Sequence, residues 1–308
     1  MRELQDIIKI SQPDKTTYRG KITEFRCSLD PERTNAIANY IKDNIKGKTL
    51  VDCGTGGGLF SWLGYKYGAK HIIALDQISE SVDAVKELVP GVEAHHCDLF
   101  YDDLPKGEDY IYVHELFGHV VWDEYCFKFF DNLQRQGIDF NNVIPHKIDF
   151  YYEYIKADPK FAKKEIVYDK SWYNDDVVEY HTDYYNKIED WTTQQLTMMN
   201  HMPFARGERS EAFWTYDLTT KPYDKVNYCP QLENMTDIYK IPDPYNNVAW
   251  RVWMGEYYYE NTSRKMCNWM PWQMCLQDNF KHKVSRIKGY LKDYYKNPYQ
   301  EDECKFLS

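Results

Sequence analysis

The feature that most constrains the fold is a glycine-rich turn placed between an apolar strand and a helix. TLVDC, residues 49–53, has the pattern of a buried strand, GTGGG that of a tight turn, and LFSWLGYKYG that of a helix. HIIALD, SESVDAVKELV, VEAHHCD and DYIYVHE continue the alternation. Continuous apolar strands that alternate with helices predict a parallel sheet covered on both faces. We therefore expect an α/β fold in this half of the chain.

A helix with complete end signals precedes the first strand. In SLDPERTNAIANYIKDNIKGK, Asp30 can cap the helix, Pro31 suits its first position and Gly47 can end it. From about residue 148 the pattern changes, because IDFYYEYIKA, AFWTYDLTT and NVAWRVWMGEYYYE alternate aromatic and polar residues. This alternation predicts antiparallel strands with one solvent-exposed face. We place a domain boundary near residue 147.

Charge and composition narrow the class of partner. The net charge of −10 disfavours nucleic acid and favours cationic partners. No apolar run approaches the ~20 residues of a membrane span, so no membrane partner is expected. The eight cysteines form no CxxC pair and no zinc-type spacing. We expect reduced thiols, no metal site and a cytoplasmic protein, with the nucleus as the alternative.

The glycine turn predicts a ligand site at the start of a helix. Gly54, Gly56 and Gly58 would let a polar group approach the backbone amides at the positive end of the helix. Asp76 ends the second strand about 20 residues later, where an acid can bind ribose hydroxyls. NAD and S-adenosylmethionine both suit these residues. However, the dinucleotide fingerprint would need its third glycine at position 59, which is Leu59.

VDCGTGGG, with Asp52 ahead of the turn, resembles the first motif of class I S-adenosylmethionine-dependent methyltransferases. In that resemblance Asp76 corresponds to the ribose-binding acid, and Asp98, in HHCDLF, falls where the family contacts adenine. S-adenosylmethionine carries a sulfonium and an ammonium but no phosphate, so an acidic pocket suits it.

Two glutamates follow the fourth strand, in HELFGHVVWDE. Glu115 ends the strand, Gly118 permits a sharp return, and Glu124 comes nine positions after Glu115. Two carboxylates that converge in a cleft repel each other unless a cation lies between them. A planar guanidinium suits that place, because it can pair with carboxylates from two sides. The simpler interpretation of Glu124 is an acid that stabilises a helix start.

The segment resembles the double-glutamate loop of protein arginine methyltransferases, and DPERT resembles the segment whose arginine, here Arg33, holds the cofactor carboxylate. The resemblance implies a Rossmann-like domain at 30–147 after an N-terminal segment 1–29, and a mostly antiparallel β-barrel-like domain at 148–308. It implies that Glu115 and Glu124 are catalytic, with S-adenosylmethionine as cofactor and a protein or peptide arginine as substrate. It also implies a homodimer formed through an arm within 160–210.

The sequence also departs from this family. The family's Thr-His-Trp segment has its nearest counterpart in CNWMPWQMC, where Trp269 and Trp272 are present and the histidine is missing. His114 and His119, beside the glutamates, could handle protons or be structural. Two alternative functions therefore stay open. One is a methyltransferase of the same fold that acts on another nucleophile, such as a small amine, in a pocket closed by Trp250, Trp253, Trp269 and Trp272. The other is an inactive interaction module.

Overall fold

A five-stranded parallel sheet forms the first part of the fold. The computed structural model describes residues 27–118, 124–157, 170–187, 204–219 and 241–261. The strand order is β3-β2-β1-β4-β5. All five residues of the central strand are buried, as expected for a sheet covered on both faces. The strands are β1 (Thr49–Cys53), β2 (His71–Asp76), β3 (Glu93–His96), β4 (Tyr110–His114) and β5 (Val143–Ile144).

The helix before the first strand begins where its capping signals predict. The Asp30 side chain accepts a hydrogen bond from the Arg33 amide at 3.2 Å, and Pro31 occupies the first turn. The described helices are α1 (Pro31–Asn44), α2 (Leu59–Lys66), α3 (Ser79–Leu88), α4 (Cys126–Arg135) and α5 (Asp175–Lys187), with 3₁₀ turns at Phe140–Asn142 and Lys170–Trp172.

A second, antiparallel sheet of four strands follows in the order β7-β6-β8-β9. Its strands are β6 (Lys147–Ala157), β7 (Phe204–Asp217), β8 (Asn247–Met254) and β9 (Tyr257–Glu260). The three segments with alternating aromatic and polar residues all contribute strands, so the predicted change from a parallel to an antiparallel sheet is confirmed. The overall class is α/β with a separate antiparallel sheet.

One face of the second sheet was expected to be solvent-exposed, but two of its acidic residues are buried. Glu153 and Glu260 are buried at 1% and 3% exposure. Arg209 reaches both, at 2.8 Å to Glu153 and 2.7 Å to Glu260, and Arg251 lies 2.5 Å from Glu260. Both guanidinium groups lie over the Tyr151 ring. The acids are buried because arginines and an aromatic ring cover them, which polar–apolar alternation alone cannot reveal.

One continuous apolar cluster joins the two sheets. It includes Leu50 and Val113 of the parallel sheet together with Phe150 and Trp250 of the antiparallel sheet. Helix α1 packs against β9 of the antiparallel sheet and against α2 and α5. None of the helices in the described ranges has both the length and the apolar character of a bilayer-spanning helix.

Candidate active site

The residues chosen from the sequence lie at one edge of the parallel sheet. Parallel strands place their carboxyl ends on the same side. Asp76 ends β2, Asp98 comes two residues after β3, and Glu115 follows β4 directly. Strand β1 leads into the glycine turn, residues 54–58, between the ends of β2 and β4.

Three glycines give the turn its shape. Gly54, Gly56 and Gly58 have φ angles of 81°, 51° and 77°. A residue with a Cβ is strained at such angles. A Cβ at Gly58 would also lie 3.0 Å from Val85 Cγ2. The close spacing of glycines in the sequence therefore reflects backbone conformation at all three positions.

Asp52 lies behind the turn, fully buried. Its Oδ2 atom accepts hydrogen bonds from the Thr55 hydroxyl at 2.8 Å, the Ser61 hydroxyl at 2.6 Å and the Ser61 amide at 3.0 Å. Burial raises the pKa of Asp52 to about 6, although these hydrogen bonds oppose the shift. Asp52 thus connects the turn to the first residues of α2.

Asp76 fixes the turn from the neighbouring strand. Its Oδ2 accepts from the Gly56 amide and its Oδ1 from the Ile78 amide, both at 2.8 Å. Burial raises the pKa of Asp76, while the backbone donors act against the rise. Asp98 is half-buried at the same edge, and its Oδ1 accepts from the Phe100 amide at 2.9 Å.

Arg33 and Glu115, chosen for different roles, form an ion pair. Arg33 Nη1 lies 2.6 Å from Glu115 Oε2, and the side chains are only 6% and 16% exposed. Arg33 Nη2 donates to the Cys27 carbonyl. Burial lowers the pKa of Arg33, but the Glu115 carboxylate and other negative groups outweigh burial, so the net shift is upward. The residue predicted to hold the cofactor carboxylate thus contacts the first predicted catalytic glutamate.

Glu124 lies just before α4, in a strained stretch of backbone. The next residue, Tyr125, has a φ of 58°, which is uncommon for a residue with a side chain. Glu124 is exposed, whereas Tyr259 of β9 is fully buried. Burial raises the pKa of the Tyr259 hydroxyl, and both carboxylates raise it further, against the opposing effect of Arg33. The Tyr259 hydroxyl is therefore within electrostatic range of both predicted catalytic glutamates.

His114 is a structural residue. Burial lowers its pKa to about 3, so the ring is neutral at pH 7. Its Nε2 donates to the Pro145 carbonyl at 3.2 Å, and its Nδ1 accepts from the Leu116 amide at 3.4 Å. Three aromatic rings surround it, those of Phe117, Phe129 and Phe130. His114 therefore fixes the chain on both sides of Glu115. The second histidine of the sequence analysis, His119, lies outside the described residues.

Tyr259 was missed by the sequence reasoning. The run EYYYE was recognised only as part of a strand, although alternate positions of a strand share a face. Tyr257 and Tyr259 both reach the first part of the chain, since the Tyr257 hydroxyl donates to Asp43. Trp250, proposed as a pocket wall, is fully buried and packs against Phe117. The CNWMPWQMC segment lies outside the described residues.

The chemistry of these groups suits S-adenosylmethionine. Arg33 offers a cation for its carboxylate, and Asp76 offers an acceptor for ribose hydroxyls. A Cβ at Gly54 would be in van der Waals contact with Leu116 and Leu99, at 3.8 Å and 3.9 Å, so apolar side chains border the turn. The described residues contain no group of three His, Cys, Asp or Glu side chains arranged to hold a metal ion.

Comparison with known proteins gives matches among solved structures alone. No protein-family model matches the chain, and no curated protein matches it. Protein arginine methyltransferase 10 of Arabidopsis thaliana is 22% identical over 44% of this chain, with a TM-score of 0.38, and the match spans only 41% of that chain.

Two further matches span more of the chain. The PRMT1 enzyme–prozyme heterotetramer of Trypanosoma brucei, solved with AdoHcy, is 12% identical over 80% of this chain and 78% of its own, with a TM-score of 0.47. PRMT6 is 14% identical over 80% of this chain and 84% of its own, with a TM-score of 0.42. The function proposed below rests on the residues of this chain instead. In fold, the chain is similar to solved protein arginine methyltransferases, the family that its motifs resemble.

Proposed function

We propose that the chain is an S-adenosylmethionine-dependent methyltransferase that transfers a methyl group to an arginine guanidinium of a protein or peptide. Arg33 and Asp76, with the glycine turn, would hold the cofactor at the edge of the parallel sheet. Glu115 and Glu124 would hold the substrate guanidinium. The net charge of −10 favours the approach of a basic substrate.

The observation that supports this proposal most directly is the 2.6 Å pair between Arg33 and Glu115. Glu115 is a largely buried carboxylate that already accepts a guanidinium from one side. A carboxylate has two oxygens and about four acceptor positions, so Glu115 can serve a second cation. Glu124, an exposed residue just before α4, would provide the other carboxylate. Two such groups balance the positive charges of Arg33 and of a bound substrate.

In the proposed reaction the carboxylates orient one guanidinium nitrogen and concentrate the positive charge on the others. When bound, the cofactor supplies a methyl group activated by its sulfonium. Transfer of this methyl group to the nitrogen would leave a neutral thioether, and the methylated nitrogen would release one proton to water. The product guanidinium keeps its single positive charge. Because the methyl group is already activated, orientation contributes more than acid–base strength.

The test is Glu115→Gln, since glutamine keeps an oxygen acceptor for Arg33 but loses the negative charge. We expect transfer of labelled methyl groups from S-adenosylmethionine to an arginine-rich peptide pool to fall by at least about 100-fold, because misplacing a reactant by about 1 Å has this cost. Calorimetric binding of S-adenosylhomocysteine should persist, since Arg33 and Asp76 remain.

Glu153→Gln is the matched control. Glu153 is also a buried glutamate paired with an arginine, 2.8 Å from Arg209, but it lies in the antiparallel sheet. We expect this variant to lose stability and keep its activity. Unchanged turnover in Glu115→Gln, or equal loss of binding and transfer, would contradict the catalytic role. Transfer to small amines alone would identify the other substrate class, and binding without transfer to any acceptor would indicate an interaction module.

A further inference from the structure

Helix α5 belongs in sequence to the second half of the chain but packs on the first. It comes between β6 and β7 of the antiparallel sheet, yet it contacts α1, α2 and α3. Four side chains of α5 are fully buried, and their helical spacing places them on a single face: Val177, Tyr180, His181 and Tyr184. The helix lies within the range expected for a dimerisation arm, and here it covers its own chain.

Polar contacts also hold α5 to α2, the helix that begins at the glycine turn. Lys66 lies 2.6 Å from Asp176 and 2.5 Å from Glu179. The Trp62 indole donates to Asp183 at 3.2 Å. Contacts are thus distributed along the whole of α5, which fixes both its position and its rotation against α2.

Tyr180 extends from this helix to the turn itself. Its ring meets Trp62 edge-on, with the ring centres 5.9 Å apart. Its hydroxyl donates to the Gly57 carbonyl at 2.8 Å, and the residue has no exposed surface. The amide of the same peptide plane, that of Gly58, donates to the Thr55 carbonyl at 2.7 Å. Both the carbonyl and the amide of the peptide bond between residues 57 and 58 are therefore hydrogen-bonded.

This restraint affects a segment that has little rigidity of its own. Glycine has the largest backbone freedom of any residue, so a turn rich in glycine loses much entropy when it is ordered. Asp52 and Asp76 hold the turn from the parallel sheet, and Tyr180 holds it from the opposite side. His181, the next residue, donates from Nε2 to the Ser28 carbonyl at 3.1 Å, close to the start of α1. One helix thus holds both backbone segments assigned to the cofactor.

We propose that Tyr180 is a positioning residue for the cofactor turn, and that α5 preorganises the cofactor site within a single chain. The inference rests on the proposed function for the identity of the ligand. Tyr180 acts through the Gly57 carbonyl and touches neither substrate nor cofactor. A turn that is ordered before binding loses less entropy when the ligand binds. The contribution of Tyr180 should therefore be seen in the affinity for the ligand.

The test compares Tyr180→Phe with Tyr112→Phe in the full chain. Tyr112 is the matched control because its hydroxyl also donates to a backbone carbonyl, that of Pro105 at 2.6 Å, and Pro105 precedes β4 at the opposite edge of the sheet. Calorimetry measures the affinity for S-adenosylhomocysteine. We expect Tyr180→Phe to bind about five-fold more weakly, which is the usual effect of one lost hydrogen bond, and Tyr112→Phe to bind as the unaltered chain does.

Amide hydrogen exchange in the unliganded protein gives a second measurement. The peptide covering residues 54–61 should exchange faster in Tyr180→Phe and at its normal rate in Tyr112→Phe, although both variants lose some thermal stability. Equal affinity and equal exchange in the two variants would overturn the proposal. If the unaltered chain fails to bind S-adenosylhomocysteine, the proposed function fails and this assignment fails with it. If it binds and Tyr180→Phe binds equally well, only the role of Tyr180 is wrong.

Discussion

The carboxyl group of Asp52 gives a sharp test of the energetics behind the glycine turn. Two effects oppose each other there, since burial disfavours the charged form while three donors to one oxygen favour it. Burial prevails and raises the pKa from 3.8 to about 6. The perturbation is Asp52→Asn, which removes the ionisation and approximately preserves the shape.

The size of the effect follows from the shift. A shift of about two units corresponds to roughly 3 kcal/mol at about 1.4 kcal/mol per unit. The folded pKa lies above the unfolded value, so the folded state binds the proton more tightly. The stabilising contribution of Asp52 is therefore complete below pH 4 and is lost as the pH rises through 6. Relative to Asp52→Asn, the unaltered chain should lose roughly 3 kcal/mol of unfolding free energy between pH 4 and pH 7.

Urea unfolding followed by circular dichroism, at half-unit intervals of pH, measures this difference. Subtracting the unfolding free energies of the two proteins at each pH cancels the contributions of the other titrating groups, including the histidines. A difference that does not change with pH would refute the shift. A difference that grows in favour of the unaltered chain as the pH rises would show that the three hydrogen bonds outweigh burial.

Two further predictions concern the buried surroundings of the site. In His114→Gln, the unfolding free energy should fall less steeply as the pH drops from 7 to 5 than in the unaltered chain. A His pKa lowered to about 3 contributes stability above about pH 6.5 that is lost on acidification, and parallel urea-unfolding curves would contradict this. Gly64→Ala should lower the unfolding free energy by about 1–3 kcal/mol through overpacking, since its Cβ would lie 2.6 Å from Leu50 Cδ2. The loss should shrink in a Leu50→Val background, and an equal loss in both backgrounds would refute the contact.

Local signals in the sequence were sufficient for much of the fold. The cap at Asp30 and the alternation around the glycine turn depend on residues close together in the chain, and both elements form where predicted. Asp76 and Glu115 were placed at strand ends, and a parallel sheet brings such ends to one edge. These residues could be found because a strand boundary is a local property.

Contacts between distant residues could not be predicted in the same way. Arg33 and Glu115 are 82 positions apart, and each has a separate role in the motif that it belongs to. Tyr180 and Gly57 are 123 positions apart. The spacing of the apolar residues in α5 indicates a helix with one buried face, but it does not indicate which surface covers that face. The burial of Glu153 depends likewise on Arg209 from another strand.

The packing of α1 against two later segments has a consequence for synthesis of the chain. Its surface is covered by α5 and by β9, which end at residues 187 and 260. The segments of the parallel sheet leave the ribosome first, while the apolar faces of α1 and α2 still lack their covers. A growing chain therefore exposes these faces until both later segments emerge, and it depends during that interval on protection from aggregation.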